Sequence, residues 1–263
     1  SARPALERYL GFIRSEVLPR ARGDGKGGLV HLPGGDSCYS ALVAKYTTLE
    51  KTPDQLHATG ISELARIHAG MADLGEELFG TRELQDIFSR LRTDPALYFT
   101  SEEEVESKAV SALAAAEESM PGFFGRLPEP PCVVKPVPSY EAPYTTIAYY
   151  RPPPGDGGKP GTYYVNTYAP ETRPRYEAEV LAFHESIPGH HLQIAIAQEL
   201  PGLPAFRRYM GMTAFVEGWG LYSERLADEM GLYSGPLDRM GMLGFDAWRA
   251  ARLVVDTGIH AKG

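Results

Sequence analysis

The sequence predicts a mainly α protein with a small antiparallel β element. Apolar side chains recur at helical intervals over most of the 263 residues, two strong helix-start signatures appear, and in one central stretch aromatic and β-branched residues replace that period. A content of 43% hydrophobic and 23% charged residues is ample for a packed core and argues against disorder. The chain reads as a single region in three consecutive parts: helical over 1–143, a β-hairpin over 144–170, and helical again over 171–263.

In chain order, Leu6, Tyr9, Leu10, Ile13 and Val17 give residues 4–17 a helical face, which Pro19 and the glycines of 23–28 bring to an end. Thr52-Pro53-Asp54-Gln55 places a capping Thr, a Pro at the first helical position and a Gln three residues on, opening a helix to about Phe79. Ser101-Glu102-Glu103-Glu104 repeats the capping logic before an Ala-rich helix to about Met120. The prolines of 121–143 read as punctuation. Residues 144–150 and 161–168 read as two strands joined by the Pro- and Gly-rich loop 152–160. Helical periods then cover 174–198, 204–230 and 236–261. The last has no terminator, so the chain reads as a fragment of a longer protein.

With 26 Lys+Arg against 34 Asp+Glu, the net charge of −8 repels phosphate backbones and anionic membrane surfaces, so nucleic acid is excluded as a partner. No apolar run approaches the ~20 residues of a membrane helix, and no signal peptide opens the chain, so membrane insertion of this chain is not expected. Cys38 and Cys132 lack the spacing of a thiolate metal site or a redox pair. Compartment and oligomeric state stay open.

The most informative string is Leu181-Ala-Phe-His184-Glu185-Ser186-Ile187-Pro188-Gly189-His190-His191-Leu192-Gln193, which gathers three of the seven histidines and a glutamate within eight positions. A helical His-Glu pair with another His about a turn later is how zinc hydrolases present two imidazoles to one ion, the Glu acting as base on the metal-bound water. That arrangement needs the second His at i+4, where this chain has Pro188. In an ideal helix His191 would lie in line with His184 but ~10 Å further along the axis, and His190 would point away. Pro188 cannot donate to the His184 carbonyl and Gly189 accepts unusual backbone angles, so a local bulge there brings one of the two imidazoles back to His184. Geometry alone leaves His190 and His191 both open.

The string closely resembles the His-Glu-x-x-Pro-Gly-His-His signature of the DUF885 family, grouped with the gluzincin-like zinc metallopeptidases. Tyr163-Tyr-Val-Asn-Thr, Glu217-Gly-Trp219-Gly-Leu-Tyr222-Ser-Glu224 and Arg252-Leu-Val-Val-Asp256-Thr-Gly-Ile-His260 are similar to further blocks of that family. The resemblance implies a helical metallopeptidase acting on a peptide substrate, with Zn²⁺ held by His184, His190 and Glu217 and with Glu185 as the base. It favours His190 over His191 as the second ligand.

A weaker physical argument also points to Glu217, because a carboxylate among Phe215, Val216, Trp219 and Leu221 needs a cation or a full set of hydrogen bonds. Glu224, two turns on, suits orientation of a ligating imidazole. In the last helix Arg249, Arg252, Asp256 and His260 share one face. They form either an ordinary surface stripe or, as the family block suggests, an oxyanion donor His260 held by Asp256 with a guanidinium, Arg252, for a substrate carboxylate. Tyr222 offers a phenol to the same oxyanion. The strand 162–168 is suited to hold an extended peptide by main-chain pairing. Trp219 and Trp248 read as core, and His31, His57 and His68 as isolated surface or packing residues. Two other classes stay open: a metal-dependent hydrolase of a different amide or ester, and a non-catalytic metal-binding or structural protein with a vestigial site.

Overall fold

A computed structural model describes residues 2–155 and 158–263. Helices α1 (Ala2–Phe12), α2 (Gly35–Thr47), α3 (Pro53–Phe79), α4 (Leu84–Thr93) and α5 (Glu102–Phe123) precede the strands β1 (Cys132–Pro136), β2 (Ala148–Arg151) and β3 (Gly161–Val165). Helices α6 (Ala178–Glu185), α7 (His190–Glu199), α8 (Ala205–Tyr209), α9 (Thr213–Glu229) and α10 (Pro236–Thr257) follow. The class is mainly α with a small β element, as the sequence predicts.

Both predicted helix starts form. Thr52 Oγ1 accepts from the Gln55 amide at 3.2 Å while Gln55 Oε1 accepts from the Thr52 amide at 3.0 Å, a reciprocal box at the head of α3. Ser101 Oγ accepts from the Glu104 amide at the head of α5, but the Glu104 carboxylate reaches one residue further back, to the amide and hydroxyl of Thr100 at 2.8 Å each. Helices α2 and α4 form without such a signal: neither Gly34 before α2 nor Glu83 before α4 caps its helix with a side chain.

The sheet differs from the expected hairpin. β2 and β3 do pair antiparallel, with Tyr149 opposite Tyr164 and Tyr150 opposite Tyr163. A third strand, β1, lies parallel on the other side of β3, giving the order β1-β3-β2. It lies inside the Pro-rich stretch expected to be punctuation. Val133 and Val134 suit a pleated surface, and Pro136 is tolerated because β1 is an edge. β3 is therefore central, and its main chain is engaged by neighbours on both sides. It cannot hold an extended peptide as expected, and the free edges belong to β1 and β2.

Each of the predicted helices 174–198 and 204–230 is broken in two. The first breaks completely over residues 186–189, where a local bulge was expected, and the second breaks over residues 210–212.

The chain divides into two compact units, residues 1–60 with 252–263, and residues 61–251. In the first, Tyr39 of α2 donates to Asp256 Oδ2 at 2.5 Å and stacks on the His260 ring, and His57 Nδ1 lies 2.8 Å from the Thr257 hydroxyl. The second unit has two apolar clusters. One joins α5, the sheet, α6 and α7 through Ala109, Ala116, Met120, Tyr163, Phe183 and Leu192. The other joins α3, α4 and α10 through Ile67, Met71, Ile87, Met240, Leu243 and Phe245. The small residues of α5 let α6 pack closely against it, and a buried acid on α6 fixes the placement. Glu179 takes the Lys108 ammonium at 2.5 Å and the Ser234 amide at 2.9 Å. Among the described residues, no helix is long and apolar enough to cross a membrane.

Ile67 is wholly buried in the second cluster. Ile67→Ala is expected to lower the unfolding free energy by roughly 2–5 kcal/mol, read as a drop in urea midpoint at constant m. An unchanged midpoint would mean that this cluster is not a cooperative part of the fold.

Candidate metal centre

The site begins where α6 ends. Pro188 has no amide hydrogen to continue the helix, and the chain turns back on the end of α6 before α7 begins at His190. The closeness of the turn explains Gly189: a Cβ there would lie 1.9 Å from the His184 carbonyl oxygen and 2.4 Å from that of Phe183. The turn is closed by the His191 amide donating to the Ser186 carbonyl at 2.9 Å. It brings the His190 ring edge-on against His184, centroids 4.6 Å apart.

Helix α9 covers this joint. Trp219 Nε1 donates to the Pro188 carbonyl at 2.8 Å, Ser223 Oγ to the Phe183 carbonyl at 3.2 Å, and Gln193 Nε2 to the Phe215 carbonyl at 3.1 Å. A Cβ at Gly220 would sit 2.6 Å from His184 Cε1 and 3.0 Å from His190 Cε1, so only glycine lets α9 come this close to both rings. The approach delivers Glu217 to both imidazoles. Its carboxylate oxygens lie 3.7 Å from His184 Nε2 and 3.9 Å from His190 Nε2.

His184, His190 and Glu217 each turn one ligand atom to a common space, all within 4.8 Å of one another. Separations of 3.7 and 3.9 Å are too long for hydrogen bonds. They are close to the ~3.4 Å expected between ligands of a tetrahedral zinc with bonds near 2.1 Å. Two imidazole nitrogens and a carboxylate are also a donor set that zinc accepts. The residues fit the ion.

Behind them, Glu224 Oε1 lies 2.7 Å from His184 Nδ1, which places the ring hydrogen on Nδ1 and leaves Nε2 as the free lone pair. Glu224 is only 1% exposed and is also paired with Arg249 at 3.1 Å. Burial disfavours charge on His184, yet Glu217 and Glu224 hold its pKa up at about 9. Burial, reinforced by His184, pushes His190 down. Contact with His184 draws Glu217 below the ordinary carboxylate range. Burial holds Glu185 up at about 7 against the pull of His184. The pocket attracts positive charge, and without a metal that charge is a proton on His184.

His191, Tyr222, Asp256 and His260 make other contacts. His191 is wholly buried and faces the sheet: its Nε2 lies 3.0 Å from the Pro130 carbonyl and its Nδ1 2.8 Å from the Tyr150 hydroxyl. A carbonyl can only accept, so Nε2 carries the hydrogen and the phenol donates to Nδ1. Burial lowers the pKa of this imidazole to about 4, in keeping with a neutral ring. Tyr222 is half exposed and packs edge-on against Trp219. Arg252, Asp256 and His260 belong to the other compact unit. There His260 Nδ1 accepts from the Leu29 amide at 3.3 Å, and 3.9 Å separates its Nε2 from Asp256, so Asp256 does not hold it by a hydrogen bond as expected. Asp256 instead receives the Tyr39 phenol.

Two sequence-level arguments need correction. The Glu217 side chain is 60% exposed and Phe215 is exposed beside it, so its role as a ligand rests on convergence with two imidazoles and not on burial in apolar company. Trp248, expected in the core, is exposed and lies beneath the Arg249 guanidinium, whereas Trp219 does pack against the first cluster and also donates a hydrogen bond to the joint. Sequence reasoning places Arg249 only in the charged stripe of the last helix, without its link to Glu224, and does not single out Gly220. A glycine three positions after Glu217 inside a helix was the available signal for Gly220.

The fold and site define a mainly helical protein with a three-residue candidate metal centre. The DUF885 family, described as "Bacterial protein of unknown function (DUF885)", matches residues 1–263, and the chain belongs to it. A crystal structure, of "the putative lipoprotein from Colwellia psychrerythraea", is similar at 31% identity and a TM-score of 0.88 over 94% of this chain. The match covers 43% of that protein, so the chain spans less than half its length. No curated protein matches the chain.

Gly220→Ala is expected to displace both rings and weaken zinc binding about tenfold or more, with helical circular dichroism unchanged. Chelator competition reads the affinity, and a wild-type value would mean that α9 stands further off. Tyr150→Phe, which leaves His191 Nδ1 without a donor, is expected to cost roughly 1–3 kcal/mol of stability, read as a drop in urea midpoint.

Proposed function

We propose that this chain is the catalytic region of a zinc-dependent, gluzincin-like hydrolase that cleaves peptide bonds. The observation that carries the reading is the convergence of His184, His190 and Glu217 on one space with Glu185 next to the first ligand in the chain. An ion bound there supplies Lewis-acid polarisation of a carbonyl and of water. Glu185 takes the proton of the water as its oxygen bonds to the peptide carbonyl carbon, and then passes that proton to the amine nitrogen, whose bond to the same carbon breaks. Glu224 keeps His184 in its ligating tautomer. The exposure of Glu217 leaves that side open to a substrate.

An extended peptide finds its main-chain partners on the free edge of β2. The Asn166 amide bonds to the Ile147 carbonyl, which sets the alternation of the ladder and turns the backbone of Ala148 and Tyr150 outward. Tyr150 reaches His191 on the same helix that carries His190, so this edge serves the site.

The test is cleavage of a mixed peptide library with measured zinc stoichiometry. Glu185→Gln is expected to retain one zinc per chain and to lose about 10²–10⁴-fold in rate. A wild-type rate removes Glu185 from the chemistry. Glu217→Ala is expected to lower zinc affinity at constant helical content, and full occupancy in that variant would refute its role as ligand.

A further inference from the structure

Among the charged residues of α10, Arg249 stands directly behind the candidate metal centre. Its Nη2 lies 3.1 Å from Glu224 Oε1, and the same oxygen lies 2.7 Å from His184 Nδ1. The guanidinium is itself fixed in place. Nη1 donates to the Phe245 carbonyl at 3.3 Å, and the group lies 4.7 Å and 5.2 Å from the ring centroids of Phe245 and Trp248. Glu224 relies on this support, because among the described residues its other oxygen, Oε2, is buried without a partner. Both of its anchors converge on one atom.

We propose that Arg249 is a positioning residue of the metal centre, pinning the Glu224 carboxylate so that His184 presents Nε2 to the ion. This rests on the zinc-hydrolase reading above. Arg249 touches neither ion nor substrate and acts through Glu224 alone. Without it, a buried carboxylate keeps a single donor and its negative charge is uncompensated. The carboxyl group is then free to rotate about its last bond, and the imidazole loses its fixed orientation. A purely structural Arg249, tying α9 to α10, would lower stability but leave the zinc affinity of the folded molecules untouched.

The experiment titrates the full chain with Zn²⁺ under chelator competition, corrects for the folded fraction by circular dichroism, and compares Arg249→Met, Arg249→Lys, Glu224→Gln and the Met/Gln double variant. Arg249→Met is expected to weaken zinc binding about 10–100-fold. Arg249→Lys is expected to recover part of this and to stay roughly threefold or more below wild type, since an ammonium can pair with Glu224 but not with the Phe245 carbonyl and ring as well. The double variant is expected to bind no more weakly than Glu224→Gln alone, because Arg249 has no other route to the ion. Wild-type affinity in Arg249→Met, or full additivity in the double variant, overturns the inference and leaves the metal reading intact. A wild-type chain that binds no zinc overturns both. Should Arg249→Met not fold, Arg249→Lys decides: an affinity equal to wild type overturns the proposal.

Discussion

The candidate centre depends on how a helix ends. The carbonyls of the last turn of α6 have no partners along the helix, and in a buried position they need donors. Ala182 still takes the helical bond from the Ser186 amide; beyond it, Ser223 of α9 donates to the Phe183 carbonyl. The joint that follows has a carbonyl of its own at Pro188, and Trp219 of α9 takes it. The demand for donors therefore draws α9 onto the end of α6. Since α9 carries Glu217 and Glu224 on either side of Gly220, the same packing places one carboxylate in front of the imidazoles and another behind them. Hydrogen-bond satisfaction and ligand placement are one constraint here.

Charge makes the second demand. Three carboxylates, Glu185, Glu217 and Glu224, surround two imidazoles, and Arg249 answers mainly Glu224. Of the three only Glu224 is fully buried, yet together they favour a cation beside the imidazoles, and the chain offers two ways to supply one. One is a proton on His184, held to about pH 9 against the cost of burial. The other is a divalent ion on the same Nε2 atom, which must displace that proton, so metal binding and protonation compete.

Much of this was legible in the sequence. The capping residues at Thr52 and Ser101, the central β-rich stretch and the His-Glu string each depend on contacts within a few positions. What failed depends on contacts far apart. The parallel strand β1 is set by pairing with β3 across some thirty residues, and its prolines hide it. Helical geometry could not choose between His190 and His191 because the helix it assumes stops at Glu185 and restarts at His190. In the sequence Arg249 is one member of a charged stripe, and only its contact with Glu224 singles it out. Its partner, Glu224, lies 25 positions away.

The paired histidines show how one helix serves two structures. Neighbouring residues on a helix point about 100° apart, so a His-His doublet at the start of α7 cannot place both rings in one site. His190 faces the candidate centre, while His191 is tied by one nitrogen to the Pro130 carbonyl and by the other to Tyr150 of β2. With both nitrogens engaged, His191 has no lone pair left for an ion. It fixes instead the rotation of α7 about its axis, and that rotation decides where His190 points. Burial keeps the ring neutral, which is the state that can donate to a carbonyl and accept from a phenol at once. The sheet, small as it is, thereby takes part in the geometry of the metal centre through a residue that need never touch the metal.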